Sequence, residues 1–163
     1  MRKIFWLAQF TVLVLSGCMA TARFYPVRGP LASQAPLPVL VGKITGAFNS
    51  GTVTVKLKDG EVCKGRWATV GRPESTQAAN QAATPDDMAS VWDAVYGQGF
   101  YVSHVLGARL YARAVLAGDR GTTLNFEMYK HEDNRTDDPA GAGAIKGVAK
   151  DNSDNIYKVT FGG

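Results

Sequence analysis

The chain is poor in the residues that carry most enzyme chemistry. It holds two histidines, His104 and His131, and two cysteines, Cys18 and Cys63. The histidines lack the spacing of zinc ligands, and a Gly-x-Ser-x-Gly elbow and a Walker loop are both absent. Hydrolase, phosphate-binding and metal functions therefore have no motif in this sequence, and we expect no catalytic residue, no metal and no cofactor.

A strong excess of charge of one sign is also missing. The formal net charge is +4, and it falls to +2 without Arg2 and Lys3, which precede the first apolar run. Proteins that bind nucleic acid usually present a clustered basic face. A balance so near zero gives no indication of one, and we predict no nucleic-acid partner.

The N-terminus has the pattern of a secretion signal. Arg2 and Lys3 precede a mainly apolar run from Ile4 to Leu15. This run is shorter than the roughly 20 apolar residues that a membrane-spanning helix needs. A positive start, an apolar stretch of about 7–15 residues and small residues after it are typical of a secretory signal. We therefore predict a signal peptide over residues 1–17.

The end of this signal, Leu15-Ser16-Gly17-Cys18, resembles the lipobox of bacterial lipoproteins. The resemblance is to small bacterial lipoproteins, and it implies lipid on the Cys18 thiol, cleavage between Gly17 and Cys18, and acylation of the new amino group. Several acyl chains anchor durably, since each buried CH₂ contributes about 0.8 kcal/mol. The implied partner is the membrane. In bacterial lipoproteins, an aspartate directly after the lipidated cysteine commonly retains the protein in the inner membrane. Because Met19 stands there instead, the resemblance implies the outer membrane, facing the periplasm, if the host is Gram-negative.

A proline-rich segment follows Cys18. Four prolines fall within residues 18–38, and proline favours extended chain without backbone donors. We predict a semi-stiff tether here. The apolar residues Phe24, Tyr25 and Val27 leave two alternatives open, a short first strand packed on the domain or a contact with the lipid interface.

Residues 39–163 have the pattern of a single β-rich domain. Residues 52–58 alternate strictly between apolar and polar side chains, which indicates a half-buried strand, and Asp59-Gly60 supplies a hairpin turn. Similar alternation predicts Leu110, Ala112, Ala114 and Leu116 on one face of a later strand. In a further strand it places Leu124, Phe126 and Met128 inward. The predicted strands cover 39–48, 52–58, 61–70, 100–106, 109–116, 122–130, 145–150 and 156–161.

One helix is predicted between these strands, near residues 85–96. Its apolar residues recur at helical spacing, which predicts a helix packed on the sheet, with a ligand-binding aromatic patch as the alternative. This stripe consists of Met88, Val91, Trp92, Val95 and Tyr96. About eight short antiparallel strands with one inserted helix predict a mainly β fold, either a small barrel or a two-sheet sandwich.

Cys63 has no partner within the chain if Cys18 carries lipid. We interpret it as a small buried residue of its strand, with Val62 and Trp67 also available to the core, because a free cysteine commonly packs like an apolar residue. A nucleophilic pair of Cys63 with His104 is the alternative, since such pairs meet in space rather than in sequence.

Two functions of different class follow. The favoured one is a non-enzymatic envelope lipoprotein whose β domain binds a protein or glycan partner or has a structural role. Arg109, Tyr111 and Arg113 share one strand face and form its candidate binding face, or else an ordinary solvated one. The alternative is a small envelope or cell-wall hydrolase that uses Cys63 and His104. It requires an exposed Cys63 beside His104, with a depressed thiol pKa. Small periplasmic inhibitor lipoproteins also use eight-stranded barrels, which is a likeness of fold alone.

Overall fold

The fold is an antiparallel barrel of eight strands, closed by the pairing of β8 with β1. The computed structural model describes residues 18–47, 49–70, 88–106, 110–130 and 145–162. The strands are β1 (Cys18–Arg28), β2 (Leu40–Ala47), β3 (Ser50–Lys56), β4 (Val62–Thr69), β5 (Leu110–Gly118), β6 (Thr123–Lys130), β7 (Ile145–Asp151) and β8 (Ile156–Phe161). The predicted mainly β fold with one inserted helix is confirmed, and the barrel is the form that it takes.

The first strand lies where the sequence predicts a tether. Residues 18–24 pair with β2, and residues 22–28 pair with β8. Phe24 is fully buried inside the barrel. The tether prediction is therefore wrong for residues 18–28, where the alternative of a first strand packed on the domain holds, and the domain includes these residues as well as those from 39 onward. The physical reason is closure, because without β1 the outer edges of β2 and β8 would stay unpaired.

Apolar side chains fill the interior of the barrel. Successive side chains of a strand face opposite sides, so every second residue points inward. The inward positions predicted for β6 are confirmed, and so are Ala112, Ala114 and Leu116 of β5. Val62 is instead 41% exposed, contrary to prediction, because Cys63 takes the inward position beside it. The buried interior residues are Ala22, Phe24, Leu40, Ile44, Val53, Val55, Cys63, Ala112, Ala114, Leu116, Leu124, Phe126, Met128, Ala149, Tyr157 and Val159.

Three helical segments join strands in the described ranges. A 3₁₀ turn, Pro30–Ser33, follows β1, while helix α1, Met88–Tyr96, and a π-helical turn, Tyr101–Val105, lie between β4 and β5. The predicted helix is confirmed from residue 88, and its predicted start lies outside the described residues. The strand predicted over 100–106 is wrong.

An aromatic stack accompanies the helical conformation of this segment. The rings of Trp92, Tyr96, Phe100 and His104 recur every four residues, and each ring stacks on the next. Their centroid distances are 5.6, 4.6 and 4.4 Å in chain order. Gly97 and Gly99 follow α1, and the spacing of four residues between stacked rings continues beyond them to Phe100 and His104.

Helix α1 packs on the outside of the barrel around one buried carboxylate. Glu127 of β6 is fully buried there, and its Oε2 accepts the indole N–H of Trp92 at 2.9 Å. Its Oε1 lies 3.0 Å from two guanidinium nitrogens of Arg113, on the neighbouring strand β5. The apolar surroundings are Met88, Val91, Tyr101, Val105, Tyr129 and Val148. This carboxylate therefore links the helix to two strands.

Removal of that carboxylate should weaken the whole fold. Glu127→Ala leaves Arg113 beside an apolar cluster without its carboxylate and leaves the indole N–H of Trp92 without its acceptor. We expect the free energy of unfolding to fall by about 3 kcal/mol, the usual effect of breaking a buried ion pair. Urea unfolding measures the loss.

The matched control is Asp154→Asn, which breaks the ion pair with Lys150 at a site where the carboxylate is 86% exposed and keeps a residue that tolerates the left-handed backbone there, with φ at 61°. Exposed pairs contribute about 0–1 kcal/mol, so this change should be small. Equal losses in the two variants would contradict the structural role of Glu127.

Candidate binding site at one end of the barrel

The two ends of the barrel differ in their connections. Consecutive antiparallel strands place the connections 29–39, 57–61, 119–122 and 152–155 at one end, which we call the turn end. Cys18, the first residue of β1, lies at the opposite end. At about 3.3 Å per residue, an 11-residue strand separates the two ends by about 33 Å along its length.

A pocket of about 520 Å³ opens at the turn end. Leu31 of the 3₁₀ turn, Leu40 at the start of β2 and Leu57 after β3 supply its apolar wall. The other lining residues are Pro30, Lys58, Asp59, Thr122, Asp151, Ser153, Asn155 and Tyr157. A second pocket of similar volume shares Leu40, Leu57 and Lys58 with it and extends along residues 36–41. Apolar surface is thus concentrated at this end.

The carboxylate of Asp151 organises one side of the pocket. Its Oδ1 accepts the backbone N–H groups of Ser153 and Asn155, both at 2.9 Å. Its Oδ2 accepts the Asn155 amide at 2.9 Å and the Tyr157 hydroxyl at 2.7 Å. The side-chain amide oxygen of Asn155, Oδ1, in turn accepts the N–H of Leu31 at 2.8 Å. Burial, together with the hydrogen bond from its hydroxyl to Asp151, raises the pKa of Tyr157. The network therefore holds the 3₁₀ turn against the β7–β8 turn.

Glu61 joins two other connections of the turn end, 57–61 and 119–122, through its carboxylate. Its Oε2 accepts the Thr122 hydroxyl at 2.6 Å, and its Oε1 accepts the N–H groups of Arg120 and Thr122 at 2.8 and 3.1 Å. The Thr122 hydroxyl, followed by these backbone N–H groups, lowers the pKa of Glu61. Gly118 is required beside it, because a Cβ there would overlap the carboxylate oxygen. The buried carboxylates of this end are thus bonded within the fold.

The two residues of the predicted nucleophilic pair lie on different sides of the barrel wall. Cys63 is fully buried in the interior, where burial and the nearby Glu61 carboxylate raise the pKa of its thiol to about 11. His104 is exposed on the π-helical turn, stacked on the ring of Phe100. The geometry that the hydrolase hypothesis requires, an exposed thiol of low pKa beside His104, is not what the structure has.

The candidate binding face on β5 has a different role where it is described. Arg113 is paired with Glu127 beneath α1 and is 24% exposed, so it does not present a free guanidinium to solvent. Arg109 and the side chain of Tyr111 lie outside the described residues. Arg113 is held in this way because its strand neighbour Glu127 is a buried carboxylate, and the binding face itself stays a prediction.

The pocket residues themselves were not singled out by their sequence pattern. Leu31 and Leu40 flank the four residues 35–38, which include two prolines, and such a stretch indicates a linker. The available signal was Pro30, since proline favours the first position of a helical turn. Within the described ranges, no group of three or more histidine, cysteine, aspartate or glutamate residues is placed to hold a metal ion.

The bonds to Glu61 predict a loss of stability in acid. Because its pKa is lowered in the folded state, the contribution is present above the unfolded value of about 4.3 and is lost as the pH falls through the folded value. The free energy of unfolding of the wild type should therefore fall more steeply below about pH 5 than that of Glu61→Gln. Urea unfolding across this pH range gives both slopes.

Thr122→Val is the companion variant, since it removes the hydroxyl that lowers this pKa most. Its slope should lie between those of the wild type and Glu61→Gln. Parallel curves for all three proteins would show that Glu61 does not link the turns as its hydrogen bonds indicate.

No helix in the described part of the chain is long and apolar enough to cross a membrane. The chain matches no protein-family model, no curated protein and no solved structure. Its function must therefore be inferred from the residues of the barrel and from the pattern of its N-terminus.

Proposed function

We propose that this chain is an exported lipoprotein, held on a membrane of the cell envelope by lipid on Cys18. Its barrel is then a non-enzymatic domain that binds a protein partner through the turn-end pocket. The signal pattern of residues 1–17 and the lipobox-like end of that segment support the export and the anchor.

The order of the lipobox-like motif and the barrel along the chain supports the anchor best. The predicted cleavage lies between Gly17 and Cys18, and the eight described strands, from β1 (Cys18–Arg28) onward, all follow it. Cleavage there would leave all eight strands and their pairing intact. The lipid would then lie at the first residue of the barrel, at the end remote from the turn-end pocket. The outer membrane facing the periplasm is the favoured location in a Gram-negative host.

The chemistry of the turn end supports binding rather than catalysis. Leu31, Leu40 and Leu57 offer an apolar wall, and apolar pockets with a few polar groups are the usual form of binding sites. The carboxylates of Asp151 and Glu61 accept hydrogen bonds from the turns themselves, so their role is to shape the site. An apolar wall suits a side chain of a protein better than a hydroxyl-rich glycan.

The anchor is tested by comparing the wild type with Cys18→Ser, both expressed from the full-length chain in a lipoprotein-processing host. We expect intact mass to show loss of residues 1–17 and added acyl mass for the wild type, which should enter the detergent phase. The variant has no thiol at this position, so it should carry no acyl mass and should stay in the aqueous phase. An unacylated, aqueous wild type would refute the anchor.

The binding site is tested by Leu57→Glu, which places a charge in the apolar wall of the pocket. Chemical crosslinking in intact envelopes should show a protein adduct of the wild type, with its yield at least about tenfold lower in the variant, as expected for a central apolar contact.

The matched control is Val102→Glu, which adds the same charge at a valine that is 55% exposed on the π-helical turn. It should keep the adduct, and urea unfolding should confirm that both variants are folded. An adduct lost in Val102→Glu and kept in Leu57→Glu would place the site elsewhere.

A further inference from the structure

The outer surface of β1–β4 carries positive charge without any negative partner. Strands β1 to β4 contain no aspartate or glutamate. Six basic residues of these strands are exposed, and the sixth, Arg28, ends β1 at the turn end. The other five are what we call the basic face: Arg23, Lys43, Lys56, Lys64 and Arg66. A surface of this kind attracts anions, because like charges held close together raise the local potential.

The strand register gathers these residues into one area. Lys43 of β2 and Lys64 of β4 lie opposite Thr54 from either side, so the two are separated by two strand spacings, about 10 Å. Arg66 lies opposite Thr52, two residues along the same strand. The five side chains come from four neighbouring strands and share one side of the barrel.

None of the five makes an ion pair or a side-chain hydrogen bond within the part of the chain that the structure describes. Elsewhere on the barrel, Arg113 is paired with Glu127, Arg120 with Asp59 and Lys150 with Asp154, while Lys146 and Lys158 lie over the ring of Tyr96. A cationic surface without internal partners is free to meet anions from outside the molecule.

Exposed apolar side chains lie among the cations. Met19, Val41 and Val62 point outward from β1, β2 and β4, with 67, 52 and 41% of their surfaces exposed. Val41 lies directly opposite both Arg23 and Lys56 in the register. A soluble polyanion offers such residues nothing to contact, whereas a bilayer offers anionic headgroups with apolar chains beneath them.

We propose that the basic face lies against the anionic phospholipid headgroups of a bilayer. Lysine and arginine side chains near such a surface each contribute to binding through its negative potential, and apolar side chains add to it. The proposed lipid on Cys18 would begin the same strand that carries Arg23, so the two contacts are compatible. The basic face itself does not depend on that lipid. The turn-end pocket would remain open at the end of the barrel.

The test uses full-length Cys18→Ser, which cannot carry the lipid, and vesicles of phosphatidylcholine with or without phosphatidylglycerol. We expect cosedimentation only with vesicles that contain phosphatidylglycerol, weakened by added salt. Lys43→Gln with Lys64→Gln should lower the partition constant about 25-fold, since each charge near the surface accounts for about fivefold. These two side chains make no contact on which folding depends.

The matched control, Lys146→Gln with Lys150→Gln, removes two charges from β7, which lies beneath α1 and is separated from β1 by β8. It should change the partition constant less than about twofold, because these charges lie away from the basic face. Residues 1–17 are common to every protein compared.

Three results would overturn the proposal. Equal losses in the two double variants would assign the binding to net charge. Equal binding to both kinds of vesicle would assign it to apolar contact alone. Binding to dextran sulfate without binding to anionic vesicles would make a soluble polyanion the partner. Failure of acylation at Cys18 would refute the anchor and leave this measurement unchanged, so the two proposals fail separately.

Discussion

Strand β1 hydrogen-bonds to β2 along one part of its length and to β8 along another, and this double pairing closes the barrel. It brings the ring of Phe24 between Phe126 and Tyr157, with centroid distances of 6.0 and 6.4 Å. It also carries the 3₁₀ turn to the β7–β8 turn, where Leu31 donates to Asn155. The apolar core and the pocket at the turn end both depend on this closure, because each combines residues from the first strand region with residues from the last strands.

The buried carboxylates show how the barrel uses polar groups that it removes from water. Glu61 and Asp151 accept hydrogen bonds from the turns at one end, while Glu127 accepts bonds from Trp92 and Arg113 at the side. A buried carboxylate destabilises a fold unless donors surround it, and each of these has several. The three groups therefore join neighbouring segments of the chain.

The surface of the barrel divides into regions with different chemistry. Helix α1 and its aromatic stack cover β6–β8, whereas the outer side of β1–β4 carries exposed basic residues and exposed valines in the described part of the chain. The turn end carries an apolar pocket that lies about 33 Å along the strands from Cys18. A lipid at one end, a cationic side and an open pocket at the other end would let the same small domain stay at a membrane and hold a partner. The lipoprotein proposal concerns Cys18 and the turn-end pocket, and the second proposal concerns the basic face.

What the sequence determined by itself was local. Alternation in β5 and β6 predicted the inward residues correctly, because side chains of a strand alternate whatever the strand pairs with. The lipobox-like motif predicts Cys18 as the lipid site in the same local way, and it stays a prediction. The tertiary structure alone decided the rest. The prolines of residues 18–38 left a tether and a first strand as alternatives, and the pairing of β1 with both β2 and β8 decided for the strand. Residues 101–105 are helical rather than extended, in a segment whose rings stack back to Trp92. The near-neutral overall charge concealed the basic face, because its residues become neighbours only through the register of four strands.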